Sequence, residues 1–156
     1  MNGKEFLEEI RDAVPLISTY QDKLLQLRII AYGAPIAGYK AIVSNPTGKT
    51  NSPQELYITK IEDCERKIKD ITVKYAENIQ KAVELIEMLG KVKYKSALLL
   101  YYIDNFSEKV CAAKIGIGLR QFQNRKGEAL REFEAIYLKY SAFESLKNQN
   151  ISLSCV

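Results

Sequence analysis

One stretch of the chain decides the fold, residues 106–133, which read FSEKVCAAKIGIGLRQFQNRKGEALREF. Its first part predicts a short helix over Glu108–Ile115, because Ser107 can cap the amino end and no glycine or proline interrupts it. Gly116 predicts a sharp turn, since glycine readily adopts a positive φ. Gly118 then opens a second helix. The side chains of that helix predicted to face inward are Phe122, Ala129, Leu130 and Phe133.

The first two turns of this second helix are almost entirely polar. Arginine, glutamine and asparagine can form paired hydrogen bonds with base edges in the major groove of DNA. In a helix-turn-helix unit, such residues lie at the amino end of the second helix. The structural alternative is an ordinary helical corner with a solvated polar face. The candidates for base contacts are Arg120, Gln121, Gln123 and Asn124.

Charge is distributed unevenly along the chain, and the distribution favours DNA over the ordinary corner. Residues 91–140 carry 10 basic and 5 acidic side chains, whereas residues 1–33 carry 4 and 5, and residues 53–90 carry 6 and 8. A basic block attached to a near-neutral one is typical of a chain that binds a polyanion. The candidates for phosphate contacts, which position a protein without reading sequence, are Lys109, Lys114, Arg125, Lys126 and Arg131.

Gly127 stands inside the predicted second helix, where glycine is unfavourable by about 1 kcal/mol relative to alanine. Gly127 either only lowers the stability of the helix, or it also permits a close approach to a phosphate or to another helix. The sequence leaves these alternatives open.

The composition argues against an enzyme and against a bound metal or cofactor. The chain has 156 residues and no histidine, which removes serine–histidine catalysis, imidazole proton transfer and histidine-ligated zinc. Cys64, Cys111 and Cys155 are widely separated and form no CxxC pair, so neither a disulfide framework nor a zinc site is indicated. Paired carboxylates such as Glu62 and Asp63 lie among basic residues, which is typical of a solvated helix face.

The run Thr47–Thr50, TGKT, resembles the end of a phosphate-binding loop. Such a loop needs a glycine five residues before its Gly-Lys pair, and Val43 stands there instead. We therefore expect no nucleotide site and no small-molecule substrate.

The first ninety residues predict two long helices separated by a flexible loop at 34–52. Pro15 predicts a kink or break near Ala13–Val14, because proline lacks an amide hydrogen. Ser52 and Pro53 suit the cap and the first position of the second helix. Apolar residues recur at coiled-coil spacing. The predicted seam consists of Ile10, Ile17, Leu24, Leu27, Ile61, Ile68, Ile71 and Tyr75.

Two arrangements of these helices are possible. They either pair within one chain or complete their core with a second copy. A homodimer is favoured, because two narrow stripes alone enclose little volume.

Several segments resemble the promoter-reading C-terminal domain of sigma factors, namely 98–103 (LLLYYI), 107–116, 120–123 (RQFQ) and 129–130 (AL). The whole chain, opening with GKEFL at 3–7, resembles small phage-encoded transcriptional regulators of the RinA/ArpU type. That resemblance implies a sigma-like helix-turn-helix, late-gene-type promoters as targets, and contact with host RNA polymerase in the cytoplasm of a bacterium.

The sequence thus predicts an all-α protein with a helical hairpin or coiled coil (1–90), a helix-turn-helix DNA-binding domain (91–140) and a C-terminal tail (141–156). Helix 119–135 would read the major groove of double-stranded DNA as part of a transcriptional regulator. The alternative is a protein-binding adaptor, or an inhibitor of host machinery, that uses the hairpin as its surface. No apolar stretch approaches the roughly 20 residues of a membrane span, so we expect a soluble protein.

Overall fold

The computed structural model describes residues 1–33 and 53–153. Within these ranges the chain forms five α-helices and a π-helical segment, and no strand, which confirms the all-α prediction. The predicted loop at 34–52, which contains TGKT and Ser52, lies outside the described residues, as does Cys155. The helices are α1 (Gly3–Tyr32), α2 (Pro53–Glu87), α3 (Val92–Leu98), α4 (Glu108–Ile115) and α5 (Leu119–Leu153), with the π-helical segment at Leu99–Ile103.

Two helices differ from their predicted extent. Of the predicted kink or break near Ala13–Val14, the break does not occur, because α1 continues as one helix through Pro15. The Thr19 hydroxyl donates to the Pro15 carbonyl at 2.9 Å, and this side-chain hydrogen bond spans the helical turn that follows the proline. Helix α5 runs to Leu153, so most of the predicted tail is helical.

The chain divides into two compact units, and the division differs from the predicted boundary at residue 90. One unit, called the corner unit, combines Met1–Ala13 with Tyr75–Val156. The other, called the hairpin unit, spans Val14–Lys74. Two predicted seam residues therefore belong elsewhere, because Ile10 is buried in the core of the corner unit and Tyr75 packs against that core.

The hairpin unit pairs α1 with α2 inside one chain. Ile61 and Cys64 are buried, and the Cys64 thiol donates to the Tyr20 carbonyl at 3.4 Å. Arg28 forms an ion pair with Glu65 at 2.5 Å. The remaining seam residues of this unit are half-buried, namely Ile17, Leu24, Leu27, Ile68 and Ile71.

The corner unit has a continuous apolar core, formed by segments far apart in sequence. Its buried residues come from the start of α1, the end of α2, α3, the π-helical segment and α5. They are Phe6, Leu7, Ile10, Ala82, Leu85, Ile86, Leu89, Tyr94, Leu98, Tyr102, Ala129 and Phe133. Residues of α1 and α2 thus support α5 directly, although the sequence analysis assigned them to a separate domain.

Three carboxylates of α5 fasten other segments to this core. Glu134 accepts from the Gly3 amide and Glu132 accepts from the Gly90 amide, each at 2.7 Å. The Tyr94 hydroxyl donates to Glu128 at 2.7 Å. These contacts direct the three acidic side chains toward donors of the protein itself.

Candidate nucleic-acid interface

Helices α4 and α5 meet at a sharp turn whose local chemistry was predicted from the sequence. The Ser107 hydroxyl accepts from the Val110 amide and caps α4, as expected. Gly116 has a φ of 79°, and the Ile117 amide donates to the Ala112 carbonyl at 3.0 Å. This is the Schellman arrangement, in which a left-handed residue ends a helix and the following apolar residue turns inward. Ile117 indeed packs against a small apolar cluster beneath the turn.

That cluster fixes the amino end of α5. Ala97, Cys111, Ala112 and Phe122 are buried in it, and Phe122 has no exposed surface. Because Phe122 is buried, its polar neighbours in the first two turns are directed outward along the helix. The turn and the cluster together form a rigid support for the polar face.

We expect Gly116→Ala to lower the free energy of unfolding by about 1–2 kcal/mol, because a side chain in the left-handed region is strained. Gly118→Ala is the comparison, and we expect a smaller loss from it, because alanine there only replaces glycine at the cap of α5. An added Cβ meets nothing within 4 Å at either glycine, but only Gly116 has a positive φ. Urea unfolding of both variants measures the difference. Equal losses of stability would contradict the role assigned to the φ of Gly116.

The four predicted base-contact residues, Arg120, Gln121, Gln123 and Asn124, are all exposed in the first two turns of α5. The side chains of Arg120, Gln121 and Asn124 form no hydrogen bond or ion pair with any residue that the structure describes. Gln123 differs from them, because its amide nitrogen donates to Glu108 at 2.8 Å. The structure therefore offers three unengaged side chains and one that Glu108 orients.

The predicted phosphate contacts fall into two groups. Lys109, Lys114 and Arg131 are exposed, and Arg125 is half-exposed. Lys126 differs from its predicted role. Its ammonium group forms a 2.5 Å ion pair with Glu108 and lies 4.0 Å from the centre of the Tyr101 ring, and only 16% of its side chain is exposed. Lys126 thus links α5 to α4 and to the π-helical segment.

Glu108 is the partner of both Gln123 and Lys126, and no signal in the local sequence pattern identified it. Its hydrogen bonds with Lys126 and Gln123 lower the pKa of its carboxyl group below the ordinary value of 4.5. Opposite charges and hydrogen bonds to the ionised form stabilise the carboxylate. The free energy that this contact contributes is therefore complete above about pH 5 and is lost as the pH falls through the lowered pKa.

We expect Glu108→Gln to be less stable than the native protein by about 1 kcal/mol at neutral pH. The difference should shrink as the pH falls below 4.5, where the native carboxylate becomes protonated. Urea unfolding at about pH 7 and about pH 3 measures it. Glu62→Gln, at an exposed site of the hairpin unit, is the control. A difference that stays constant with pH would contradict this account of Glu108.

Arg11 is a second residue that the sequence analysis missed. From α1, its guanidinium donates to the carbonyls of Tyr101 and Phe106, the latter at 3.1 Å, and lies 3.9 Å from the Tyr101 ring centre. It thus ties α1 to the segment that leads into α4. Nothing in the sequence around Arg11 distinguishes it from the other charged residues of α1, because its partners are about 90 positions away.

No cluster of three or more metal-ligating side chains occurs in residues 1–33 and 53–153. In the same ranges, no helix combines the length and the apolar character needed to cross a membrane. Comparisons with protein-family models, with curated proteins and with solved structures find no match to this chain.

Proposed function

We propose that the protein is a sequence-specific DNA-binding transcriptional regulator that inserts the amino end of α5 into the major groove. The observation that carries this proposal is the exposure of Arg120, Gln121 and Asn124 on a helix end fixed by the buried Phe122. Side chains of these types, held on a rigid support, are suited to direct readout of bases.

The disposition of charge supports the same proposal. Of the five acidic residues in 91–140, four accept hydrogen bonds from groups of the corner unit: Glu108, Glu128, Glu132 and Glu134. Meanwhile Lys109, Lys114 and Arg131 extend into solvent. A polyanion approaching this surface therefore meets exposed cationic side chains, while four of the five carboxylates are held by hydrogen bonds to the protein itself.

The resemblance to sigma factors and to RinA/ArpU-type regulators adds the biological setting to the proposal. It suggests a phage or prophage gene product that acts in the cytoplasm of the host at late-gene-type promoters and contacts RNA polymerase there. Binding as a homodimer would match an operator with two half-sites, one helical turn of DNA apart.

The test is a selection of bound duplexes from a library with a randomised segment of about 20 base pairs, which spans two half-sites. A mobility-shift titration of the enriched duplex against salt follows. We expect one enriched sequence that is retained at physiological salt, with an affinity that falls steeply as salt rises. Recovery of no preferred sequence would contradict sequence-specific regulation.

A specific observation favours a second candidate function, a protein-binding adaptor. The hairpin unit exposes large apolar side chains, among them Leu16, Leu25, Ile30, Tyr32, Leu56 and Val73. Exposed apolar residues on paired helices suit contact with another protein or with a second copy. Analytical ultracentrifugation of the purified chain with RNA polymerase, combined with the duplex selection, separates the two functions. A chain that binds the polymerase and enriches no duplex is an adaptor, whereas a chain that enriches one duplex is the proposed regulator.

A further inference from the structure

Neither the backbone conformation nor the packing of the folded chain requires a glycine at position 127. It lies inside α5, and it is not among the glycines with positive φ. A Cβ atom added at this position meets nothing within 4 Å. Alanine would therefore fit without strain, and it favours the helix more than glycine does. Glycine at this position therefore lowers the stability of α5, and no neighbouring group packs into the space that the missing side chain leaves.

The face on which Gly127 lies is the outward face of α5. Arg120, Asn124, Gly127 and Arg131 are spaced by four, three and four residues, so they form one row along the helix. The buried residues Phe122 and Phe133 lie on the opposite side. Both arginines and Asn124 are exposed and Gly127 is partly exposed. Within a row of long polar side chains, Gly127 leaves bare backbone between two cations.

We propose that Gly127 is the point where a sugar-phosphate strand of the DNA groove lies against the backbone of α5. The two flanking arginines favour DNA over a packed helix as the group that approaches. A helix–helix contact through glycine needs apolar neighbours, whereas three of the four residues one turn away are polar: Gln123, Asn124 and Arg131. Gly127 is thus a positioning residue that sets how deeply α5 enters the groove. This inference rests on the proposed function.

The experiment compares Gly127→Ala and Gly127→Gln with the native full-length chain. Thermal unfolding is measured first. We expect Gly127→Ala to raise Tm by about 3 °C, because it strengthens the helix. Mobility shifts then use the duplex enriched from the randomised library by the native protein. We expect Gly127→Ala to weaken binding about tenfold and Gly127→Gln to weaken it further, because each fills the gap that the strand occupies.

Ala135→Gln is the control, because Ala135 is exposed and lies eight residues further along α5, about 12 Å away. It should bind the duplex within twofold of the native affinity. A stabilised Gly127→Ala variant that binds with native affinity overturns this inference and leaves the proposed function standing. A change of oligomeric state with unchanged DNA binding also overturns it. If the native protein enriches no duplex, the proposed function itself fails, and this inference fails with it.

Discussion

The variant carrying both Arg120→Ala and Gln121→Ala is expected to lose sequence-specific DNA binding by a factor of about 100 or more. Each base-contacting side chain contributes roughly 1–3 kcal/mol of discrimination. The helical circular dichroism signal should stay unchanged, because both residues are exposed and neither side chain forms a hydrogen bond or ion pair with a described residue. A mobility shift with the enriched duplex and with a scrambled duplex measures the loss of specificity.

The control for this variant, like the variant itself, removes one positively charged side chain and one carboxamide side chain from α5. Lys147 and Asn150 are exposed near the far end of α5, and the pair Lys147→Ala with Asn150→Ala should retain native specificity. If the Arg120/Gln121 variant still discriminated between the two duplexes, the amino end of α5 would not be the recognition face. An equal loss in the control variant would point to a general effect of charge.

Phe133→Ala is expected to cause the largest loss of stability, about 3–5 kcal/mol in the free energy of unfolding. Phe133 has no exposed surface, and its ring centroid lies 6.2 Å from that of Tyr137 in the core of the corner unit. Removing the ring loses the free energy gained by burying it, and it leaves a cavity that the surrounding helices fill only in part. This loss is a large fraction of the total free energy of unfolding, which is only about 5–15 kcal/mol for small proteins.

Phe143→Ala makes the same chemical change on the same helix, ten residues later, where the side chain is 66% exposed. It should alter the free energy of unfolding by no more than about 0.5 kcal/mol. Urea unfolding followed by circular dichroism compares the two variants. Similar losses from both would show that the packing around Phe133 does not dominate the stability of the corner unit.

The sequence predicted the α4–α5 corner well because its determinants are local. The cap at Ser107, the bounds of α4 and the positive φ of Gly116 each depend on residues within one or two turns. The exposure of Arg120, Gln121 and Asn124 followed from the inward face set by Phe122. Periodicity and turn chemistry are sufficient for features of this kind.

The division of the chain into compact units differs from the predicted boundary at residue 90, because it depends on contacts between distant residues. A heptad pattern shows that Ile10 and Tyr75 face inward, but it does not identify the group they face. Ile10 and Tyr75 both occupy positions of the coiled-coil pattern, yet both pack in the corner unit. The predicted break at Pro15 does not occur, since one missing hydrogen bond does not end a helix of 30 residues.

The candidate site was predicted only in part, for the same reason. The link from Glu108 to Gln123 and Lys126 crosses a turn and joins residues 15 and 18 positions apart. Periodicity places Lys126 on α5 but does not reveal that its charge is engaged. Arg11 reaches carbonyls 90 and 95 positions away, and no local pattern predicts such a contact.

The corner unit is built from two separate parts of the chain, and this has a consequence for the order of folding. The amide of Gly3 bonds to Glu134, 131 positions later, so the first turn of α1 finds its partner only after most of the chain has been synthesised. Contacts of such high sequence separation form slowly. The pairing of α1 with α2 within residues 14–74 can form earlier on the ribosome. Until α5 emerges, Phe6, Leu7 and Ile10 lack the part of their core that Ala129 and Phe133 provide.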